Sequence, residues 1–244
     1  MSRRTTSAYD AVWQCIKNHF PTFNPNKFLT DFEDPLQSSI SDAFKDSDVT
    51  GCHFHFCQAV ISFTRKQGIN SKEDEYLNIL RQILCVPLLP EQFIPRAVTK
   101  LSQTIKDLDS DVTRRNLLKI IKYIENVWIK IVKPSILSVF KSTDRTNNCV
   151  EAFHSQLNKA VGITHPGIWI FIEKLKEINF RYTKEHQSLL EGSRIRTSNT
   201  SKKNKKDAEL KKLWEEFPLF PSDHELAQYL KRFAKTVKPI ENQV

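Results

Sequence analysis

The chain of 244 residues predicts a helix-rich α/β fold, and three observations carry that prediction. Short apolar runs near the N-terminus lead through a loop into a helical pattern, as an α/β unit does. Elsewhere apolar residues recur at i, i+3, i+4 and i+7 over long stretches, the spacing of buried helix faces. With only five glycines and 39% hydrophobic residues, the chain can bury a substantial core. Its length suits one large domain, or a domain with an insertion and a tail.

The elements follow in order. Tyr9, Val12, Trp13, Ile16 and Phe20 form the stripe of a buried helix, which Pro21 and Pro25 end. Lys27 to Thr30 reads as a short strand with Asp31 at its C-terminal end. Asp34-Pro35 then supplies an N-cap and a first helical residue, and Leu36, Ile40, Ala43 and Phe44 give the next stripe. Val49 to Cys52 reads as a second strand, and His53 to Gln67 as a helix closed by Gly68, with Phe56, Val60 and Phe63 inward. From Lys72 to Lys133 only helices are expected, separated by Pro87, Pro90 and Pro95. The clearest runs from Arg114 to about Val132, with Leu117, Ile120, Ile121, Ile124, Val127, Trp128 and Ile131 on one side.

After Pro134 a short apolar stretch, Ile136 to Phe140, leads to Arg145-Thr146-Asn147-Asn148-Cys149-Val150-Glu151-Ala152-Phe153-His154. Val150, Phe153 and Leu157 share one helix face, while Glu151, His154 and Asn158 share another. A further helix is expected from about His165 to His186, with Ile168, Phe171, Ile172, Leu175 and Ile178 inward. Trp128 and Trp169, both on apolar stripes, read as core residues. Ser193 to Lys206 has low complexity and no periodicity, so it reads as disordered. Leu213, Trp214, Phe217, Leu219 and Phe220 form a last apolar patch, available to dock onto the domain or a partner. No internal repeat is visible.

Charge is unevenly placed. Of the net +9, the segment from Ser193 to Lys212 supplies +6, from eight Lys/Arg and two acids. Such a segment suits nucleic acid or a nuclear-import receptor. It makes Arg194, Arg196, Lys202, Lys203, Lys205 and Lys206 the candidate DNA contacts. A solvated linker is the plainer reading of the same run. Five cysteines fit a reducing compartment better than a disulfide framework. The N-terminus has no signal-peptide pattern. No apolar run approaches the roughly 20 residues that span a bilayer. A soluble intracellular protein without a membrane partner is therefore expected.

With Thr30-Asp31-Phe32-Glu33, Gly51-Cys52-His53-Phe54-His55-Phe56-Cys57-Gln58 and Arg145 to Glu151 in view, the chain resembles Mutator-like element (MULE) transposases. In that family a strand bearing Asp-x-Glu precedes a Cys-x-x-His element. A helical insertion follows, and then an Asn-Asn-x-x-Glu helix with a nearby His and Asn. The likeness spans roughly residues 9 to 180, through Phe153-His154, Leu157-Asn158 and Gly162 to Trp169. It implies a partial ribonuclease-H-like core over 1–70 and 135–190, with an all-helical insertion at 71–134. A basic disordered linker at 191–212 and a helical tail at 213–244 complete the expected organisation.

The resemblance also implies an Asp-Asp-Glu triad holding two divalent ions, Mg²⁺ or Mn²⁺, for DNA strand cleavage and transfer. Carboxylates bridge metals about 4 Å apart, and the metals stabilise the attacking and leaving oxygens at phosphorus. Asp31 would be the second Asp and Glu151 the Glu, each a metal ligand, with His154 orienting Glu151 or contacting phosphate. The bland alternatives are a strand-end Asp capping a turn, and a Glu favoured by the helix dipole. Cys52 and His55 would pack beside the Asp31 strand and position the acids. Cys52 and His55, with His53 and Cys57 close by, would need a second ligand pair to hold zinc, which Cys149 and His154 could supply only if the fold places them near. Asn147 and Asn148 would cap the Glu151 helix or bond a substrate backbone.

The family's first Asp precedes the helix that begins here near Tyr9, and Asp10 falls inside that helical pattern. The expectation is therefore a truncated or domesticated transposase domain, nuclear, with weakly held metal and inactive by itself. Its alternatives are a non-catalytic nuclear DNA- or protein-binding module, with the insertion as a protein-docking surface, or a helical scaffold with a pseudo-site only.

Overall fold

The computed structural model describes residues 4–69, 73–193 and 201–237, with the side chains of 201–204 outside the description. It is helix-rich α/β, with two parallel strands among the described residues. The chain divides into two compact units, one of Met1–Thr146 with Lys205–Val244 and one of Asn147–Asn204. The first thus joins the expected insertion, the tail and most of the core.

The first unit begins with α1 (Thr6–His19), β1 (Lys27–Thr30), α2 (Asp34–Ala43) and β2 (Asp48–Gly51). The strands pair in parallel from Lys27 opposite Asp48 to Thr30 opposite Gly51, with α2 as the crossover between them. Both strands lie within one residue of expectation, and α1 begins three residues before Tyr9. The exception in role is Asp34, which is the first helical residue, because Glu33 takes the extended N-cap conformation and Pro35 moves inside the first turn. The α1 stripe is also shallower than expected. No residue of α1 is fully buried, and Phe20 is exposed. Trp13 instead rests edge-on against Phe28 and Phe44, at centroid distances of 5.8 and 5.5 Å, so α1 lies as an outer layer.

α3 (His53–Lys66) carries Phe56, Val60 and Ile61 into the core. Gly68, at φ +67°, ends it in a left-handed turn that returns the Ile69 amide to the Thr64 carbonyl. The all-helical region follows as α4 (Asp74–Leu84), α5 (Ile94–Lys106) and α6 (Asp111–Tyr123). Pro87 lies in a 3₁₀ turn, Pro90 caps another, and Pro95 sits in the first turn of α5, where its missing N–H costs nothing.

α6 does not run on as an α-helix. Ile124–Val132 is π-helical, so its bonds close over five residues rather than four and the turn widens. Trp128 keeps its inward place at 3% exposure, but Ile131 is carried out to 72%. Ile131 was expected inward, and the widened turn is the reason it is not. The segment stops at Lys133, whose φ is +77° ahead of Pro134, and α7 (Pro134–Leu137) follows.

α10 (Ser201–Glu215) and α11 (Asp223–Thr236) return to the same core. Leu210, Leu213, Trp214, Leu226, Leu230 and Phe233 join the cluster formed by α4, α5 and α6. The Trp214 indole N–H donates to the Leu88 carbonyl at 2.9 Å. Of the stretch expected to be disordered, residues 194–200 lie outside the described residues, while from Ser201 onward the chain is helix, buried at Leu210, Leu213 and Trp214. The tail docks on its own domain, although Leu219 and Phe220 stay exposed. A capping box between Ser222 and Glu225 starts α11.

The second unit is a helical hairpin, α8 (Asn148–Val161) and α9 (Ile168–Leu190). Gly162 at φ +70° supplies the left-handed C-cap of α8. Tyr182 donates to Gln156 at 2.8 Å across the pair. Within the two helices only Ile178 is buried. Trp169, expected in the core, is 81% exposed, and Ile168 and Leu175, expected inward, are exposed as well. A two-helix unit has one seam, too narrow to cover a broad apolar stripe on both partners.

Candidate functional site

Asp31 leaves the C-terminal end of β1, where a parallel strand delivers side chains to an accessible rim. Several bonds fix its backbone. The Cys52 amide donates to the Thr30 carbonyl at 2.8 Å and extends the ladder one step past the strands. Buried Gln37 donates its side-chain amide to Thr30 Oγ1 at 3.0 Å and to the Asp31 carbonyl at 3.1 Å. Asp31 itself remains about half exposed, and its Oδ1 lies 3.1 Å from His55 Nδ1. The approach is one of proximity, since the buried His55 Nδ1 makes no hydrogen bond.

The residues after Asp31 diverge. Phe32 turns inward onto Trp128 at 4.6 Å, and Trp128 meets Phe56 at 4.8 Å. Glu33 turns toward α1 and accepts from Tyr9 Oη at 2.6 Å. That bond to the carboxylate holds the Tyr9 phenol above its ordinary pKa. The aromatic link from Phe32 to the π-helical segment makes the helical region a support for the Asp31 rim.

The Cys-x-x-His element divides at α3. Cys52 caps the helix and is fully buried, whereas His55 reaches the Asp31 carboxylate. His53 is also buried, and its Nε2 engages the Leu84 carbonyl at 2.8 Å. Burial lowers its pKa to about 4, against the raising effect of that bond. The ring is therefore neutral, with Nε2–H donating. Burial likewise pushes the Cys57 thiol up to about 12, with neighbouring Cys52 adding to the effect, and drives Cys85 well above its ordinary value. These are protonated thiols. Among the described residues, no group of three or more His, Cys, Asp or Glu is arranged to hold a metal.

Glu151 lies in the first turn of α8, in the second unit, with its amide on the Asn147 carbonyl at 3.0 Å. An acid there is favoured by the helix dipole. Glu151, His154 and Asn158 are all exposed, at the spacing of one helix face. Asn147 is the N-cap residue, but its side chain makes no capping hydrogen bond, and Asn148 is already helical. Capping by these side chains is therefore not what the structure shows. Asp31 belongs to one unit and Glu151 to the other.

Comparison with protein-family models, with curated proteins and with solved structures finds no match.

The functional reading thus rests on the chain's own geometry. Of the expected DNA contacts, Arg194 and Arg196 lie outside the described residues, and so do the side chains of Lys202 and Lys203. Lys205 is exposed and Lys206 half-buried on α10. No described helix is long and apolar enough to cross a membrane. Sequence reasoning missed Gln37 and the Phe32–Trp128 contact. Gln37 offered no signal beyond standing one turn into the helix that follows the Asp31 loop.

Proposed function

We propose that this chain is a Mutator-like transposase domain, a ribonuclease-H-like core with a helical insertion, related by descent to DNA transposition. The observation that carries the reading is the setting of Cys52-x-x-His55 against the Asp31 strand. One end of the element bonds the strand through the Cys52 amide, and the other brings His55 to 3.1 Å from the Asp31 carboxylate. The resemblance assigns this element the same task, positioning the acid.

Asp31 and Glu151 suit Mg²⁺ or Mn²⁺, since both offer accessible oxygen donors to a hard cation. Such ions, when bound, polarise phosphoryl oxygens and activate a nucleophile. The chain's own groups hold and orient. His55 stands 3.1 Å from the Asp31 carboxylate, Gln37 holds the backbone beneath it, and His154 stands one turn from Glu151. DNA is the partner in this reading, and the basic run through α10 suits a nuclear protein.

Mn²⁺ titration followed by electron paramagnetic resonance tests the assignment. Asp31→Asn and Glu151→Gln should each weaken Mn²⁺ binding at least tenfold, with the melting temperature unchanged. Equal Mn²⁺ affinity in the wild type and both variants would overturn it.

A further inference from the structure

A groove of about 450 Å³ runs between α4, α10 and α11, wholly within the first unit and away from the Asp31 rim. Its polar lining is Asn78, Arg81 and Gln82 from α4, Lys206 from α10, and Lys231 and Lys235 from α11. Four cations and two amides face it, and no carboxylate does. Glu209 and Glu215 of α10 are exposed and do not line the groove, and four further acids nearby have partners of their own. Asp207 pairs with Arg145, Asp223 with Arg96 and Glu216 with Arg232, and Glu225 closes the capping box of α11. Lys231 and Lys235 stand one turn apart on α11, a like-charged arrangement that opposes the helix until an anion neutralises it.

The scaffold under these cations is rigid. Leu210, Leu213 and Trp214 anchor α10, and Leu226, Leu230 and Phe233 anchor α11, all in the main core. The groove is open along its length, and its lysines are long and partly or fully exposed. That form suits an extended polyanion that crosses the surface rather than a small anion enclosed by buried donors.

We infer that this groove seats the phosphate backbone of double-stranded DNA, independently of the carboxylates. The choice of DNA among polyanions rests on the function proposed above, while the groove and its charge do not. Phosphate contacts by Lys and Arg give affinity without sequence preference, and each released counterion steepens the salt dependence by about 0.9.

The test is fluorescence anisotropy of the full chain with a mixed-sequence DNA duplex at several salt concentrations. Lys231→Ala with Lys235→Ala should reduce the slope of log K against log salt by about 2, and Arg81→Ala by about 1. Lys119→Ala with Lys122→Ala removes the same charge from an exposed part of α6 and should leave the slope unchanged. Thermal melting confirms that each variant is folded. A slope shared by the groove variants and the α6 control would overturn the proposal. So would polyglutamate that displaces the duplex at equal charge concentration, because it would assign the groove to acidic protein. The Asp31→Asn and Glu151→Gln proteins should keep the wild-type slope. Failure of the Mn²⁺ assignment would thus leave the groove standing, and failure of the groove would leave that assignment standing.

Discussion

Gly51 ends β2 directly beside the ring of Phe32, and a Cβ built on it would fall inside that ring. Phe32 has little room to retreat, since Trp128 holds its other side at 4.6 Å. Gly51→Ala should therefore destabilise the protein by about 1–3 kcal/mol, the usual cost of overpacking a filled core. Chemical denaturation measures it, and a loss under 0.5 kcal/mol would show that the ring yields freely. The acids at 31 and 151 were visible in the sequence because each sits at an element end, where strand and helix signals change. The partner of Asp31 was half visible. Cys52 and His55 could be named from their spacing, but which of the two reaches the acid depends on the helix starting at His53. That start turns Cys52 inward as the cap and leaves His55 on the rim.

At the scale of elements, both strands and the crossover helix were legible, because loop residues and Pro35 punctuate short apolar runs. Two errors share one cause, which is that periodicity shows an apolar stripe but not what covers it. The π-helical segment keeps Trp128 inside and turns Ile131 out, and the α8–α9 hairpin leaves Trp169 in solvent. The two tryptophans, alike in sequence, should respond differently to truncation. Trp128→Ala should cost about 3–5 kcal/mol. Trp169→Ala should stay within about 0.5 kcal/mol, as surface substitutions do. Paired urea denaturation curves separate the cases, and equal losses would contradict the exposures seen here. The order in α10 was hidden for another reason. Its first turns are almost wholly polar, and the apolar residues that bury it, Leu210, Leu213 and Trp214, come only in its second half.

For the molecule as a whole, helix-rich α/β architecture followed from composition and spacing, whereas the division into units did not. The insertion, the tail and α3 share one core because α10 and α11 return to it from a distant part of the chain, and the β1–α2–β2 segment meets that core through Phe32. Within that core His53 is held neutral, with its pKa lowered to about 4 from 6.5. The unfolded chain takes up this proton near pH 6.5 and the folded chain only near pH 4. The stability due to the neutral ring is thus complete above pH 6.5 and is lost as pH falls toward 4, by about 3 kcal/mol in all. The loss should appear in denaturation curves at pH 7, 5.5 and 4, and His53→Asn should flatten it. Nuclear magnetic resonance adds a direct reading, and a His53 ring signal that titrates near pH 6.5 in the folded protein would contradict this account.

The unequal burial around the two acids has a mechanical consequence. Asp31 is mounted on a strand end braced by Gln37 and by the aromatic chain behind Phe32, so displacing it means disturbing the main core. Glu151 sits on a hairpin with a single buried side chain, Ile178, where local opening disrupts little packing. One carboxylate is therefore mounted on deep packing and the other on a thin seam, so amide hydrogens around Asp31 should exchange with solvent far more slowly than those around Glu151.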